Sequence, residues 1–348
     1  MCEVAFRRRL ATLLACLLLA LAQPVAQGRA AGWKVTLVPL PGPSEKIYFK
    51  RGKRSLYKLR VVTRDQKAYL LKRCGKTFCT ALASARYIAP NIPPGALPDA
   101  VVTTGSRNIA AAWLGEPTRR YDHAILGDAI EAGSVVALDA RRKRLELRLG
   151  ADSVFEDRMA RIVDMDGDGE DEILVVRSYL DRGAALALIR QTGHGLEIRA
   201  ETPPIGTAHR WLNPAGVADF DGDGRPEAAI VVTPHIGGVL EFWELREGRF
   251  VREMQLPGFS NHAIGSRVQE MSAVADFDGD RIPDLALPAQ DQRSIRLISY
   301  AKGEVAQIGR IELPGRITSE ILLLPRKNAS GPALVAVLHT GKLALISR

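Results

Sequence analysis

Residues 164–176 read DMDGDGEDEILVV, and the phrase returns as DFDGDGRPEAAIVV at 219–232 and as DFDGDRIPDLALP at 276–288. The copies begin at Asp164, Asp219 and Asp276, a spacing of 55 and then 57 residues. Self-similarity at a nearly fixed period marks a chain built from repeated supersecondary units, and this period suits one propeller blade. Each acidic loop is preceded by a short apolar piece (ARIV, AGVA, SAVA) and followed by a run that is apolar at every position. Such runs suit inner strands covered on both faces. Alternating pairs come next, VLEFWELREG with RFVREMQL and SIRLISYAKG with EVAQIGRIEL, each joined at glycine. They predict outer hairpins of a four-stranded meander.

Weaker copies extend the pattern outward. GALPDAVVTTGSRNIAAAWL and GPALVAVLHTGKLALISR keep the strand and hairpin without the acidic loop, and GSVVALDARRKRLELRL supplies another hairpin. KVTLVPLP, KIYFK, LYKLRVVTR and AYLLKRC are expected to form one more blade. The last copy ends after about two strands, so strands from near the mature N-terminus are expected to complete it and close the ring. The expectation is an all-β fold: a β-propeller of about six four-stranded blades, with five or seven as alternatives. It occupies residues 31–348 as a single domain, with the clear repeats at about 155–315.

The aspartates sit where a hard cation wants oxygen. Calcium takes six to eight oxygen ligands at roughly 2.3–2.6 Å, and a tight loop delivers them from alternate positions. In the first loop these are Asp164, Asp166, Asp168, the Glu170 carbonyl and Glu172. In the second they are Asp219, Asp221, Asp223, the Arg225 carbonyl and Glu227. In the third they are Asp276, Asp278, Asp280, the Ile282 carbonyl and Asp284. Four carboxylates per loop would repel one another strongly without a cation, so up to three Ca2+ ions are expected. Glycine at position six permits positive φ; Gly169 and Gly224 supply it, whereas Arg281 predicts a strained third loop. An EF-hand is excluded because its twelfth position needs a bidentate glutamate, and Val175, Ile230 and Leu287 stand there.

These residues resemble the FG-GAP and VCBS-type repeats of integrin alpha chains and of many bacterial exported proteins. The resemblance rests on DxDGDGxxE at Asp164–Glu172 and Asp219–Glu227, and on DxDGDxxxD at Asp276–Asp284, each followed by an apolar strand. It implies structural calcium and a binding or scaffold role. The Phe-Gly and Gly-Ala-Pro signatures of integrins are missing, so an integrin-like adhesive role is not implied.

The N-terminus reads as a leader. MCEVAFRRR precedes the apolar run Leu10–Ala22, which is shorter than the roughly 20 residues a bilayer requires. Ala20-Leu21-Ala22 fits a signal-peptidase site, with Ala30 as a second choice, so residues 1–22 are expected to be a signal peptide and the protein periplasmic or secreted, with no transmembrane segment after cleavage. Cys2 and Cys16 leave with the leader. Cys74 and Cys79, in CGKTFC, are expected to form a local disulfide in an oxidising compartment, the alternative being a metal site that needs further ligands.

The chain is basic, +9 over 348 residues. Cations gather between Lys46 and Lys76 and in DARRKR, interleaved with Tyr48, Phe49, Tyr57 and Tyr69. Export disfavours nucleic acid, leaving a protein or an anionic envelope glycan as the expected partner of a monomer; a solvated edge strand is the plainer reading. No G-x-S-x-G, H-E-x-x-H or G-x-x-x-x-G-K-[ST] occurs, so no catalytic residue is named. His209, His235 and His262, with Trp211 nearby, recur so that propeller loops could bring them to one face. A binding module is expected; an exported hydrolase or lyase acting on polysaccharide is the alternative.

Overall fold

The computed structural model describes residues 32–51, 57–75, 77–84, 87–324 and 331–348; the expected leader lies outside them. Six antiparallel groups of four strands follow the chain. Blade 1 is Ser44–Arg51, Tyr57–Thr63, Ala68–Cys74 and Thr77–Leu82. Blade 2 is Thr103–Thr104, Ile109–Thr118, Glu131–Asp139 and Arg144–Arg148. Blade 3 is Arg161–Val163, Glu172–Tyr179, Gly183–Thr192 and Gly195–Glu201. Blade 4 is Leu212–Ala218, Glu227–Val232, Val239–Arg246 and Arg249–Pro257. Blade 5 is Ala273–Ala275, Asp284–Pro288, Ser294–Ser299 and Ala306–Glu312. Blade 6 is Leu322–Leu323, Leu334–Leu338 and Lys342–Ser347, completed by Lys34–Pro39 from the other end of the chain.

That last pairing runs from Lys34 opposite Ser347 to Pro39 opposite Lys342. The ring is thus closed as expected, with one reassignment: KVTLVP belongs to the last blade, and Thr77–Leu82 is the fourth strand of the first. Cys74 and Cys79 are joined by a disulfide, their Cα atoms 5.9 Å apart, across the hairpin in which Cys74 faces Thr77.

The two-faced apolar runs have a direct structural cause. Successive side chains of a strand point to opposite faces, and here each face meets a different blade. Ile173 and Val175 pack toward blade 2, Leu174 and Val176 toward blade 4. Ala229 and Val231 join Leu285 and Leu287 between blades 4 and 5. Leu334 and Ala336 face blade 5, while Val335 and Val337 face Ile47 and Val61 of blade 1.

One irregularity prepares a site. The inner edge of blade 3 is split: Ser153–Phe155 pairs with one half of Glu172–Tyr179 and also touches blade 2 through Phe155 and Ala132, while Arg161–Val163 pairs with the other half. Residues 156–160 lie in the gap, and the ladder is kept by Glu156 N donating to the Val176 carbonyl at 3.0 Å and Val176 N donating to the Asp157 carboxylate at 3.1 Å. Two fully buried acids, Glu156 and Asp157, occupy what would otherwise be plain strand.

The closing strand makes a sharp expectation. Val38 is completely buried between blades 6 and 1, so Val38→Asp should lower stability by about 3 kcal/mol. Val251→Asp, at a partly exposed position of the same residue type, should leave the thermal midpoint nearly unchanged.

Candidate metal centres

The three acidic loops join the first and second strands of blades 3, 4 and 5 and share one hydrogen-bond scheme. The carboxylate at position one accepts from the backbone N–H at position six: Gly169 to Asp164 at 3.2 Å, Gly224 to Asp219 at 3.0 Å, Arg281 to Asp276 at 3.0 Å. Position five accepts from the N–H at position seven, at 2.8, 2.9 and 2.8 Å. Position nine, the first residue of the following strand, accepts from the N–H at position two: Met165 to Glu172 at 2.9 Å, Phe220 to Glu227 at 2.7 Å, Phe277 to Asp284 at 2.7 Å. The turns need positive φ at position six, which is 90° at Gly169, 96° at Gly224 and 76° at Arg281. Arg281 therefore holds the left-handed backbone that its two counterparts leave to glycine.

Position two carries a signal that the sequence reading passed over. Met165, Phe220 and Phe277 are buried, each in the apolar seam with the next blade. The M and F of DMD and DFD pin the acidic loop to the neighbouring blade and hold the carboxylates still.

The gathered oxygens differ between loops. Asp219, Asp221, Asp223 and Glu227 each bring one carboxylate oxygen within 4.8 Å of the others. The first loop gathers Asp164, Asp166 and Glu172, and the third Asp276, Asp278 and Asp284, within the same span. Asp168 and Asp280 stand outside those groups, with one oxygen of each held by the backbone. The first loop is also bound by cations: Arg107 pairs with Asp164, and Arg199 with Asp166 and, at 3.5 Å, Glu172.

Every loop keeps one buried carboxylate oxygen without a hydrogen-bond donor: Asp164 Oδ1, Glu227 Oε1 and Asp284 Oδ1. Burial pushes Glu172 up to about 7, Glu227 up to about 8 and Asp284 up to about 7, and the aspartates facing them add to the shift. Buried anionic oxygens without donors are costly, and a cation would relieve that cost. The residues present thus fit an oxygen-coordinated divalent ion.

The family model of the FG-GAP-like repeat matches residues 164–230, which hold the first two loops and the blade between them. The chain carries an FG-GAP-like repeat on a β-propeller. Among solved structures, BBS1N in complex with ARL6DN aligns over 90% of this chain and 96% of its own, with TM-score 0.52 and 12% identity. The WD40 domain of Toxoplasma gondii coronin aligns over 88% of this chain and 69% of its own, with TM-score 0.42 and 11% identity. The Bacillus licheniformis rhamnogalacturonan lyase PL11 aligns over 90% and 66%, with TM-score 0.41 and 14% identity. Likeness at these identities concerns the fold. No curated protein sequence matches.

Strand direction puts the acidic loops of this FG-GAP-like propeller at one end, and the second-to-third-strand and blade-to-blade connections at the other. At that other end the histidines come together. His235 Nε2 lies 2.9 Å from His262 Nδ1, and His262 Nε2 lies 2.9 Å from the Ser266 carbonyl. Burial pushes both imidazoles down to about 4. His123 Nδ1 meets the buried Glu156 carboxylate at 2.7 Å, and Trp211 Nε1 donates to the Glu156 carbonyl at 3.0 Å. Burial, reinforced by Glu156, pushes the neighbouring Glu131 up to about 9. His194 and His339 stand apart. His123 and Glu156 were not singled out in the sequence, where they lie in different repeats and in no motif.

Two measurements follow from these geometries. Arg281→Gly should raise stability by about 1 kcal/mol by relieving the left-handed backbone, read as a higher unfolding midpoint. A histidine whose folded pKa is depressed contributes stability that is full above its unfolded value of 6.5 and is lost as pH falls toward the folded value near 4. His262→Gln should therefore show a shallower loss of thermal midpoint between pH 6.5 and 4 than the unsubstituted protein.

Proposed function

We propose that this protein is an exported binding module, a calcium-stabilised β-propeller that presents loops and blade faces to a protein or an anionic envelope glycan. The observation that carries the calcium part is the recurrence, in three loops, of one buried carboxylate oxygen without a donor beside further acidic oxygens. Calcium supplies the positive charge these oxygens lack, and its tolerance of irregular, many-oxygen coordination suits loops of unequal ligand count. The second loop brings four carboxylates in reach, with Arg225 paired to Asp223 at 2.6 Å; the first competes with Arg107 and Arg199 for its own aspartates.

The glycan part is supported by blade 1. In its register Lys46 stands opposite Val62, Tyr48 opposite Arg60, and Lys50 opposite Lys58, so these cations share the face turned away from the apolar contact with blade 6. Like charges directly across a strand pair are unfavourable, and a polyanion laid along the face would offset them. The disulfide of Cys74 and Cys79 is compatible with an oxidising compartment. A second reading, an exported enzyme acting on polysaccharide, is favoured by the His123–Glu156 pair alone.

Calcium titration of the metal-stripped protein tests the proposal. An ion that binds only the folded state adds RT ln(1 + [L]/Kd), so three sites at a hundredfold excess contribute roughly 8 kcal/mol together. The expected result is a large rise in thermal midpoint with calcium, little with magnesium, and a smaller calcium response in Asp221→Asn. Equal midpoints with and without calcium would sink the proposal.

A further inference from the structure

At the end of the propeller opposite the acidic loops, four connections from blades 2 to 5 converge on a cavity of about 90 Å3, lined by His123, His209, Trp211, His235, Ile236 and Ile264 among others. We propose that this cavity is a saccharide subsite, binding one sugar ring by its hydroxyls; the inference rests on the binding-module reading above and gives it a location.

The hydrogen-bond polarity of the site follows from its anchors. A carbonyl oxygen only accepts, so His262 Nε2 carries the proton that reaches Ser266. Neutral His262 then accepts at Nδ1, and the hydrogen bond from His235 must be donated by His235 Nε2–H. The nitrogen left on His235 is Nδ1, a bare lone pair. His235 and His262 are neutral near pH 7, since burial holds both well below that value.

His123 is fixed in the same manner. The Glu156 carboxyl is fully buried, accepts the Ser178 hydroxyl at 2.5 Å, and lies 2.7 Å from His123 Nδ1 through its other oxygen. That leaves Nε2 as the uncommitted nitrogen of the His123 ring. Trp211 is tied to both halves: it donates to the Glu156 carbonyl and stacks on His235 with an interplanar angle of 3°. An acceptor on His235 and a second imidazole nitrogen on His123, with their inner edges committed, call for a ligand whose groups both donate and accept.

Sugar hydroxyls provide such donors on a ring whose C–H faces are apolar. The cavity matches that division. Ile236 and Ile264 are 61% and 72% exposed beside it, and large aliphatic side chains so placed have a use when a ring covers them. Arg210, also lining the cavity, offers guanidinium donors to a ring oxygen or a carboxylate. The volume is below the several hundred cubic ångströms of a drug-sized pocket and admits the edge of one ring, as at a subsite on a polymer. A metal is the poorer occupant: among the described residues no three His, Cys, Asp or Glu ligand atoms here lie within 4.8 Å of one another.

Saturation-transfer NMR on the calcium-loaded protein tests the site, with glucose, galactose, mannose, rhamnose, N-acetylglucosamine, galacturonate and their short oligomers as probes. Transfer to the ring protons of at least one sugar is expected. It should fall at least tenfold in His235→Gln and in Ile264→Ser, the latter a surface change that spares the core. It should persist in Glu312→Gln, an exposed change on the outer strand of blade 5. Silence across the panel, or signals undiminished in both pocket variants, would overturn the proposal. So would zinc alone shifting the His123 and His235 resonances with no sugar response, which would mark a metal site instead. Sugar binding that survives a failed calcium titration would remove calcium from the account and leave the pocket standing.

Discussion

The strand Glu172–Tyr179 is buried along almost its whole length on both faces, and neither face can be covered by its own blade. Its odd and even residues are buried by different neighbours, and the same holds for Glu227–Val232 and Leu334–Leu338. A blade with two apolar faces exposes roughly half of its core until the next one docks, so stability resides in the seams. Everything else in the molecule is arranged around keeping those seams shut. The loops pin each blade to the next through Met165, Phe220 and Phe277, and the first strand is given to the last blade.

The acidic loops and the histidine end solve different electrostatic problems. In the loops, the backbone supplies a fixed set of N–H donors and still leaves one carboxylate oxygen per loop without any. At the other end two of the three buried acids near the cavity have partners, and the third, Glu131, keeps Oε1 without a donor. Glu156 is held by His123 and Ser178, Asp157 by Arg161 at 2.6 Å, and Glu131 is kept neutral by burial beside Glu156. One end gathers three or four carboxylates per loop, and the other pairs single acids with histidine, serine and arginine. This asymmetry separates a site for a hard cation from one for a hydroxylated ligand.

Much of this was legible in the sequence because the repeats are in register. DxDGD at a regular spacing gave the loops, position six gave the left-handed turns, and the all-apolar runs gave strands sandwiched between blades. The two-strand ending of the chain implied closure by the other terminus. What was not legible came from contacts that no period encodes. KVTLVP is an apolar run like its neighbours, and only pairing distinguishes the blade it joins. Asp168 and Asp280 occupy ligand positions by spacing, yet they stand outside the gathered oxygens, although Asp223 with the same turn hydrogen bond stands inside. The break at residues 156–160 carries no glycine or proline to announce it, so Glu156 gave no sign of meeting His123.

Five of the six seams are filled by a shared apolar cluster: between blades 2 and 3, 3 and 4, 4 and 5, 5 and 6, and 6 and 1. Among the described residues no such cluster spans blades 1 and 2. The corresponding face of blade 2 is covered by its own approach segment, with Ala96 against Trp113, and the corresponding face of blade 1 carries Lys46, Lys50 and Lys58. On that face of blade 1 Val62 is buried and Tyr48 meets Tyr87 of the segment joining the two blades, with ring centroids 5.6 Å apart, so the linking chain and not a facing blade does the covering at this joint.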